Sequence, residues 1–336
     1  MYNDEDLASA VEAGVLSDES VAAFRQHVDE LRQSSVVDEE HFRFITGFND
    51  IFVVIACALL LVSVNWIGAA IAPWIGAFLQ AASAWGLAEY FARVRRMALP
   101  SIVLLLAFVG GVVAGGMLLA KRVGFAEEAG IGVGCALGAG AGAAWLHWLR
   151  FKVPITVAAG MAALVFALVA LFSGVFPAAK DWWGLIVFLG GVLVFISGMR
   201  WDASDTQRQT RRSDVAFWLH LVAAPLIVHP IFSLLGAFGY KMGLGSAIAI
   251  VLLYACIALV SISIDRRAMM VSALAYVLYA FNTLLQEYGV VSLSFAFAAL
   301  TVGGVLLLMS AFWHTCREYV VGFYPNAIRE YLPPLH

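Results

Sequence analysis

The sequence predicts an all-α fold, a polytopic transmembrane helical bundle of about ten spans, from its composition, the length of its apolar runs and the placing of its charges. Hydrophobic residues make up 62% of the 336 positions and charged residues 13%, whereas a soluble domain is nearer half apolar and a quarter charged. After residue 50, apolar runs of about 20 residues recur, which is the length that crosses the hydrocarbon core as a helix. They lack the two-residue alternation of barrel strands. A soluble enzyme and a disordered chain are thereby excluded.

Ten segments qualify as spans, and the boundaries of the fifth and the ninth are the least sharply defined. They cover residues 51–70, 73–91, 99–120, 129–149, 153–174, 182–199, 215–238, 244–264, 268–286 and 290–313. Nine and eleven spans are the alternatives. The four cysteines are scattered without the spacing of a disulfide framework or a zinc site, so neither a metal nor a cofactor is expected.

Lysine and arginine in the loops predict the orientation, because cytoplasmic loops carry an excess of positive charge. With a cytoplasmic N-terminus, the inner loops and the tail hold 13 basic residues: Arg93, Arg95, Arg96, Arg150, Lys152, Arg200, Arg208, Arg211, Arg212, Arg266, Arg267, Arg317 and Arg329. The outer loops hold only Lys121, Arg122, Lys180 and Lys241. The excess alternates in phase through every loop, so both termini are expected to be cytoplasmic.

Charge also divides the chain near residue 50. The first 50 residues contain 12 acidic residues and three arginines, whereas the rest carries more basic than acidic residues. We therefore expect an acidic cytoplasmic helical hairpin and juxtamembrane linker over residues 1–48. A ten-helix transmembrane domain follows over 49–314, and a cytoplasmic or interfacial tail over 315–336.

Residues 4–33 have the pattern of two short helices. Gly14 is expected to end the first helix, and Ser17 to be the N-cap of the second. Apolar residues recur at helical spacing in both helices: Leu7, Val11, Val15, Val21, Phe24, Val28 and Leu31. Thirty residues cannot form a core of their own, so the hairpin should pack on a cytoplasmic protein partner, a second copy or the membrane domain. A solvated acidic surface is the alternative, and the acidity disfavours nucleic acid.

The quoted segments at the two ends of the chain resemble a known family. The hairpin "DLASAVEAGVLSDESVAAF" leads through "HFRFITGFNDIF" into the spans, and a short "REYLPP" tail follows the last span. This arrangement resembles the bacterial predicted-membrane-protein family catalogued as domain of unknown function 2157, chiefly over the first 70 residues. The resemblance implies a multi-pass protein of the bacterial inner membrane, and it brings no catalytic residues.

A spacing recurs in the second, sixth and tenth spans. Each contains Gly, Leu and Ser at the same separations, and the sets lie 114 and 113 residues apart: Gly76, Leu79 and Ser83; Gly190, Leu193 and Ser197; Gly303, Leu306 and Ser310. The pattern predicts a parallel four-helix repeat with the first two spans as a remnant. Chance is the alternative, because these residue types are common in membrane helices.

The fourth span has a glycine at every fourth position, at Gly130, Gly134, Gly138 and Gly142. This spacing places all four on one helix face without side chains. Such a face lets a second backbone approach closely, so it predicts tight helix packing in lipid. A glycine-lined substrate groove is the alternative.

The seventh span, "WLHLVAAPLIVHPIF", is the strongest candidate for a substrate or proton site. Pro225 and Pro230 remove two backbone donors, which leaves the carbonyls of Leu221 and Leu226 without their helical partners. Transporters place binding sites at broken helices near the midplane, where His229 is expected. The alternative is a proline kink in which His229 bonds a neighbouring helix.

Three more polar residues are candidates because polar groups at membrane depth are costly. Asn65 and Asn282 are isolated amides, each expected to bond either another helix or a ligand. Glu89 precedes Arg93 by four residues, so an interfacial ion pair on one helix face competes with a proton-coupling carboxylate.

No nucleotide-binding loop, metalloprotease motif, paired intramembrane carboxylate or arginine ladder is present, so an enzyme is not expected and no catalytic residue can be assigned. The best hypothesis is a secondary transporter or permease for a small solute or a lipid-like molecule in contact with membrane lipid. The alternative is a non-transporting membrane sensor or scaffold that recruits a partner through residues 4–33.

Overall fold

The computed structural model of the chain describes residues 9–24, 48–124, 129–206, 208, 210–236, 243–287, 293–325, 329 and 331–333. Most of these residues are helical, and none of them is in a β-strand. The chain divides into two compact units, Met1–Arg43 and Phe44–His336.

The described part of the first unit contains the predicted turn between two helices. The first helix ends by residue 12, and Gly14 has a φ of +70°, the left-handed conformation that glycine adopts without a steric penalty. Ser17 Oγ accepts a hydrogen bond from the backbone N–H of Ser20 at 3.1 Å, so it caps the helix that begins at residue 18. Val21 is buried, whereas Val15 and Phe24 are exposed. Leu7, Val28 and Leu31 lie outside the described residues.

The second unit consists of helices joined by short connections. In chain order they are α1 (Phe48–Ala69), α2 (Pro73–Ala88), α3 (Ala98–Val123), α4 (Ala129–Phe151), α5 (Ile155–Val175), α6 (Trp183–Ala203), α7 (Arg211–Leu234), α8 (Leu244–Ile264), α9 (Ala268–Glu287), α10 (Ser294–Ala311) and α11 (Trp313–Gly322). A π-helical segment, Glu89–Val94, extends α2, and a 3₁₀ segment, Pro177–Trp182, precedes α6.

Helices α1 to α10 occupy the ten predicted segments. Among the described residues, seven helices are long and apolar enough to cross a membrane: α1, α3, α5, α6, α7, α8 and α10. Their outer faces carry large exposed apolar side chains such as Leu59, Leu193, Leu252 and Leu307. An exterior of this kind is unsuited to water, so the fold is that of a multi-pass membrane protein.

Contacts between alternate helices define one end of the second unit, which we call the arginine-rich end. Glu89 beyond α2 binds Arg150 of α4, Trp148 of α4 contacts Trp201 of α6, and Asp202 of α6 binds Arg266 beyond α8. The C-terminal ends of α2, α4, α6 and α8 are therefore on the same side. This agrees with the alternation on which the sequence-based orientation depends.

Helix α7 joins two groups of helices. It packs against α5 and α6 on one side and against α9 on the other, and α9 in turn packs on α8 and α10. The apolar part of α7 is 61% buried, compared with 11% for α10. The α7–α9 contact is thus the main join between the group α5–α7 and the group α8–α11.

Helix α11 begins inside the segment expected to be the end of the tenth span. Trp313 and Arg317 are both buried, and Arg317 Nη2 donates to the carbonyl oxygen of Pro333 at 2.5 Å. The described part of the C-terminal tail therefore packs against the helices. Residues 326–328, 330 and 334–336 of the tail lie outside the described residues.

The glycine face of α4 has two different surroundings. A Cβ atom at Gly130 would lie 2.5 Å from Gly174 Cα of α5, and one at Gly134 would lie 2.5 Å from the Leu171 side chain. Nothing lies within 4 Å of the corresponding positions at Gly138 and Gly142. Close approach to α5 is therefore found at the start of the predicted face.

The repeat-related glycines also differ. Gly76 lies against the backbone of α1, and Gly190 against Val165 of α5, whereas nothing lies within 4 Å of a Cβ at Gly303. The four-helix repeat stays a prediction.

A matched pair of substitutions on α4 tests the packing. We expect Gly130→Ala to lower the thermal denaturation midpoint in detergent, because the new methyl group meets α5 backbone, and overpacking costs about 1–3 kcal/mol. Gly138→Ala should leave the midpoint unchanged or raise it, since alanine has the higher helix propensity. Equal midpoints for the two variants would contradict this account of the α4–α5 contact.

Candidate functional site on helix α7

Helix α7 continues through both prolines. Pro225 and Pro230 lie inside its single helical span, and Leu226 and Pro230 are buried. A Cβ atom on Gly191 of α6 would lie 2.9 Å from the carbonyl carbon of Leu226, so the backbone of α6 approaches α7 closely there. One of the two carbonyls expected to be freed by proline is thus covered by helix packing.

His229 makes a polar contact between the two helix groups. Its Nδ1 atom lies 2.7 Å from the hydroxyl oxygen of Tyr276 on α9, and the indole ring of Trp183 is 6.1 Å away between centroids. Either Nδ1 or the hydroxyl can be the donor, depending on the imidazole tautomer. His229 therefore bonds a neighbouring helix, which is one of the two alternatives. The bond lies at the contact between α7 and α9.

A buried charged network lies at the arginine-rich end of the same join. Asp202 of α6 accepts from Arg266 Nη2 at 2.5 Å and from Nε at 3.3 Å. His220 Nε2 of α7 lies 2.9 Å from Asp202 Oδ2. Arg266 also donates to the carbonyl and the hydroxyl oxygens of Ser213 at 3.2 and 3.1 Å. All four side chains are buried, and they join α6, α7 and the α8–α9 connection.

The turn at the end of α8 directs Arg266 into this network. Asp265 has a φ of +57°, a left-handed conformation that aspartate tolerates better than most residues. The N–H of Arg266 then bonds the carbonyl of Ser261 at 3.0 Å, and the Ser261 hydroxyl donates to the Arg266 carbonyl at 2.5 Å. The turn is therefore closed by both backbone and side chain.

Asp265 extends the network to α11. Its carboxylate accepts from Trp313 Nε1 at 2.7 Å and from Arg208 Nη1 at 3.2 Å, and Arg317 lies 3.9 Å away. Arg208 also donates to the carbonyl oxygens of Ile264 and Asp265. Two buried carboxylates are thus surrounded by three arginines, as desolvated charges require.

The two histidines of α7 have different partners, as their half-turn difference in phase predicts. His220 lies nine residues before His229, which corresponds to about 13 Å along a helix. The network and the His229–Tyr276 contact therefore lie at two depths of one interface. His220 Nδ1 is buried and has no hydrogen-bond partner among the described residues.

The other candidate residues lie elsewhere. Asn65 Nδ2 of α1 donates to Gln80 Oε1 of α2 at 3.0 Å, and Gln80 Nε2 lies 3.4 Å from the Ala107 carbonyl oxygen of α3. Asn65 therefore bonds another helix, one of the two alternatives. Asn282 lies on α9, and its buried Oδ1 has no hydrogen-bond partner in the described part of the chain.

Glu89 forms the expected ion pair with Arg93, at 3.4 Å, and a closer pair with Arg150. Arg150 of α4 donates from Nε at 2.7 Å and from Nη2 at 3.0 Å to its two carboxylate oxygens. The sequence could not show that α4 comes near. The bidentate geometry makes Glu89 a helix-joining residue at the edge of the bundle.

Sequence reasoning missed Asp202, Arg266 and Asp265. Asp202 lies just beyond the predicted sixth span, and Asp265 and Arg266 lie in the connection between the eighth and ninth, where charged residues are ordinarily solvated. A weak signal was available, because these two connections carry aspartates among the arginines. Their burial depends on the packing of four helices, which no local pattern records.

No protein-family model, curated protein or solved structure matches the chain. The contacts of α7 with α6 and α9 are therefore the basis on which a function can be proposed.

Substitution of Asp202 tests how much depends on the network. We expect Asp202→Ala to lower the thermal midpoint in detergent strongly, since an arginine left buried without its counter-charge costs about 3–5 kcal/mol. Glu89→Gln, which removes an exposed ion pair at the same end, should have little effect.

The double variant Asp202→Leu, Arg266→Met should recover much of the loss, because it removes both buried charges together. Equal effects of Asp202→Ala and Glu89→Gln would contradict the description of Asp202 as the buried centre of the network.

Proposed function

We propose that the chain is a secondary transporter or permease of a bacterial inner membrane, acting on a small solute or a lipid-like molecule. Its ten helices would all cross the membrane, with both termini and the arginine-rich end on the cytoplasmic side. The shared location of the ends of α2, α4, α6 and α8 supports this orientation, because it gathers the arginine-rich connections on one side. The resemblance of the N-terminal region to domain of unknown function 2157 agrees with such a location.

The observation that carries the proposal is a polar interface with two levels between two groups of helices. The charged network closes the interface at its cytoplasmic end, and the His229–Tyr276 contact lies about 13 Å deeper. Since the hydrocarbon core is about 30 Å thick, the second level falls near the midplane. Transporters bind substrates at this depth and alternate by moving one helix group against another.

The chemistry of the two levels suits different roles. His229 and Tyr276 can both donate and accept hydrogen bonds, so they can exchange their mutual bond for bonds to a polar group of a substrate. The attraction between Asp202 and Arg266 is strong while water is excluded from both, and separation of the helices would hydrate both charges. Such a contact has a closed and an open arrangement with little between them, as a gate requires.

Accessibility of a buried cysteine tests the proposal without knowledge of the substrate. Ala224 of α7 is fully buried in a cluster with residues of α8 and α9, and Ala84 of α2 is fully buried in the cluster formed by α1 to α4. Each would be replaced by cysteine in a chain without its native cysteines. A membrane-impermeant thiol reagent would then be added to the cytoplasmic face of vesicles.

We expect Cys at position 224 to react on the order of tenfold faster than Cys at position 84, because an opening interface exposes it in a minor state. Asp202→Asn should accelerate the reaction at position 224 and leave position 84 unchanged. If both positions react equally slowly in every background, the interface is static and the transporter proposal fails.

A second candidate function is favoured by the N-terminal unit. Val15 is 75% exposed and Phe24 is 47% exposed, whereas Val21 of the same unit is 7% exposed. Exposed apolar side chains are candidates for protein contacts where they adjoin one another. They support a sensor or scaffold that recruits a cytoplasmic protein through this unit.

The scaffold candidate is tested on the full chain in cells. Val15→Asp with Phe24→Asp should abolish co-purification of a cross-linked partner, while membrane insertion is unchanged, because both positions are exposed. Glu12→Lys is a control at an exposed polar position of the same unit. Unchanged co-purification in the double aspartate variant would count against recruitment through this surface.

A further inference from the structure

Adjacent arginines at the α8–α9 connection have contrasting surroundings. Arg266 is buried in the charged network, whereas the guanidinium of Arg267 lies over the Trp313 ring, 4.9 Å from its centroid. No hydrogen bond or ion pair joins the Arg267 guanidinium to the described residues, although the backbone carbonyl of Arg267 accepts from the N–H of Met270 at 3.0 Å. Its N–H donors are therefore available to an anion, beside an aromatic ring that fixes the position of the charge.

Arg267 lines an apolar crevice between α8, α9 and α10. The crevice encloses about 110 Å³. Its walls are almost entirely apolar and include Met270 of α9, Leu306 of α10 and Trp313. A cavity of about 150 Å³ holds a benzene molecule, so this volume suits a short stretch of hydrocarbon chain.

The crevice opens on the outer surface of the helices. Val271 lines it and is 65% exposed, whereas Met270 and Trp313 at its inner wall are buried. Tyr254 lines it as well, and its hydroxyl is buried with no hydrogen-bond partner among the described residues. The outer surface of a membrane protein faces lipid, so an occupant can enter sideways from the bilayer.

We propose that this crevice is a binding site for an anionic phospholipid of the surrounding bilayer. The phosphate accepts hydrogen bonds from Arg267, and part of one acyl chain fills the crevice between α9 and α10. Charge complementarity selects the anionic headgroup, because the only charged side chain lining the crevice among the described residues is a cation. The site goes beyond the proposed transport and holds for a transporter or a scaffold alike.

The proposal requires both a charge and a shape, so two variants test it separately. Arg267→Gln removes the charge and keeps a polar side chain, and Arg200→Gln is its control at an exposed position of the same end. Leu306→Trp fills the crevice, and Leu307→Trp places the same bulk on the next residue of α10, which is 74% exposed and does not line the crevice.

Lipid binding is measured by native mass spectrometry of the full chain, released from detergent with equal amounts of phosphatidylglycerol and phosphatidylcholine of identical acyl chains. Wild type and both control variants should retain phosphatidylglycerol preferentially. Arg267→Gln should lower the occupancy roughly tenfold, as expected for one charge-assisted contact, and Arg267→Lys should restore part of it. Leu306→Trp should lower the occupancy of both lipids.

Equal retention of the two lipids by wild type would overturn the proposal. It would also be overturned if Arg267→Gln retained phosphatidylglycerol within about twofold of wild type, because a roughly tenfold loss is expected. Free fatty acid in place of phosphatidylglycerol separates the two sources of an anionic chain. If the fatty acid alone depends on Arg267, the phospholipid assignment is wrong. Because none of these measurements involves transport, their failure is distinct from failure of the cysteine-accessibility test.

Discussion

The buried carboxylate of Asp202, held between Arg266 and His220, is the contact on which the arrangement of the helices around α7 depends. An isolated charge in an apolar interior is too costly to persist, so Asp202 requires both partners in place. Arg266 reaches it only because the turn at Asp265 adopts a left-handed conformation, and His220 only because α7 runs close to Gly198 of α6. The end of α6, the register of α7 and the shape of the α8–α9 turn are thus set together.

The same contact explains why the two helix groups join differently at different depths. At the arginine-rich end the interface is ionic, and it excludes other arrangements because a displaced charge would lose its partners. Deeper, a hydrogen bond joins His229 to Tyr276, and apolar residues such as Ala224 and Phe232 pack beside it. Buried ion pairs contribute little net stability, and their best-attested use is to fix register or to act as a switch. An interface with an ion pair at one end and a weaker hydrogen bond deeper in is consistent with that use.

Hydropathy predicted the position of every helix from α1 to α10, because an apolar run of about 20 residues is recognisable as a helix of membrane-spanning length whatever its neighbours are. Pro225, Pro230 and His229 were recognisable for a similar reason, since each departs locally from an apolar helix. The tertiary partners were not recognisable. In the sequence, Tyr276 has the pattern of an ordinary aromatic residue of the ninth span, and Asp202 has that of a loop residue.

The glycine face of α4 is a second case in which the sequence pattern does not identify the tertiary partner. Four-residue spacing places Gly130 and Gly142 on one face, but α5 approaches only the first part of it. Where two helix axes cross at an angle, contact is confined to a few turns. A periodic pattern in one helix does not contain the angle, so the packing of individual glycines follows from the pair of helices.

Arg266 and Arg267 illustrate how adjacent identical residues acquire different chemistry from one turn. Successive side chains project in different directions as the chain leaves the turn at Asp265, so one guanidinium enters the network and the other reaches the outer surface.

The proposed site at Arg267 also concerns the position of α10. Its apolar segment is only 11% buried, and its contacts are with α9 and α11. A helix with so little protein contact depends on what fills the space beside it. In a bilayer that space is filled by lipid, and a phospholipid chain between α9 and α10, anchored at Arg267, would hold α10 where helix packing alone contributes least.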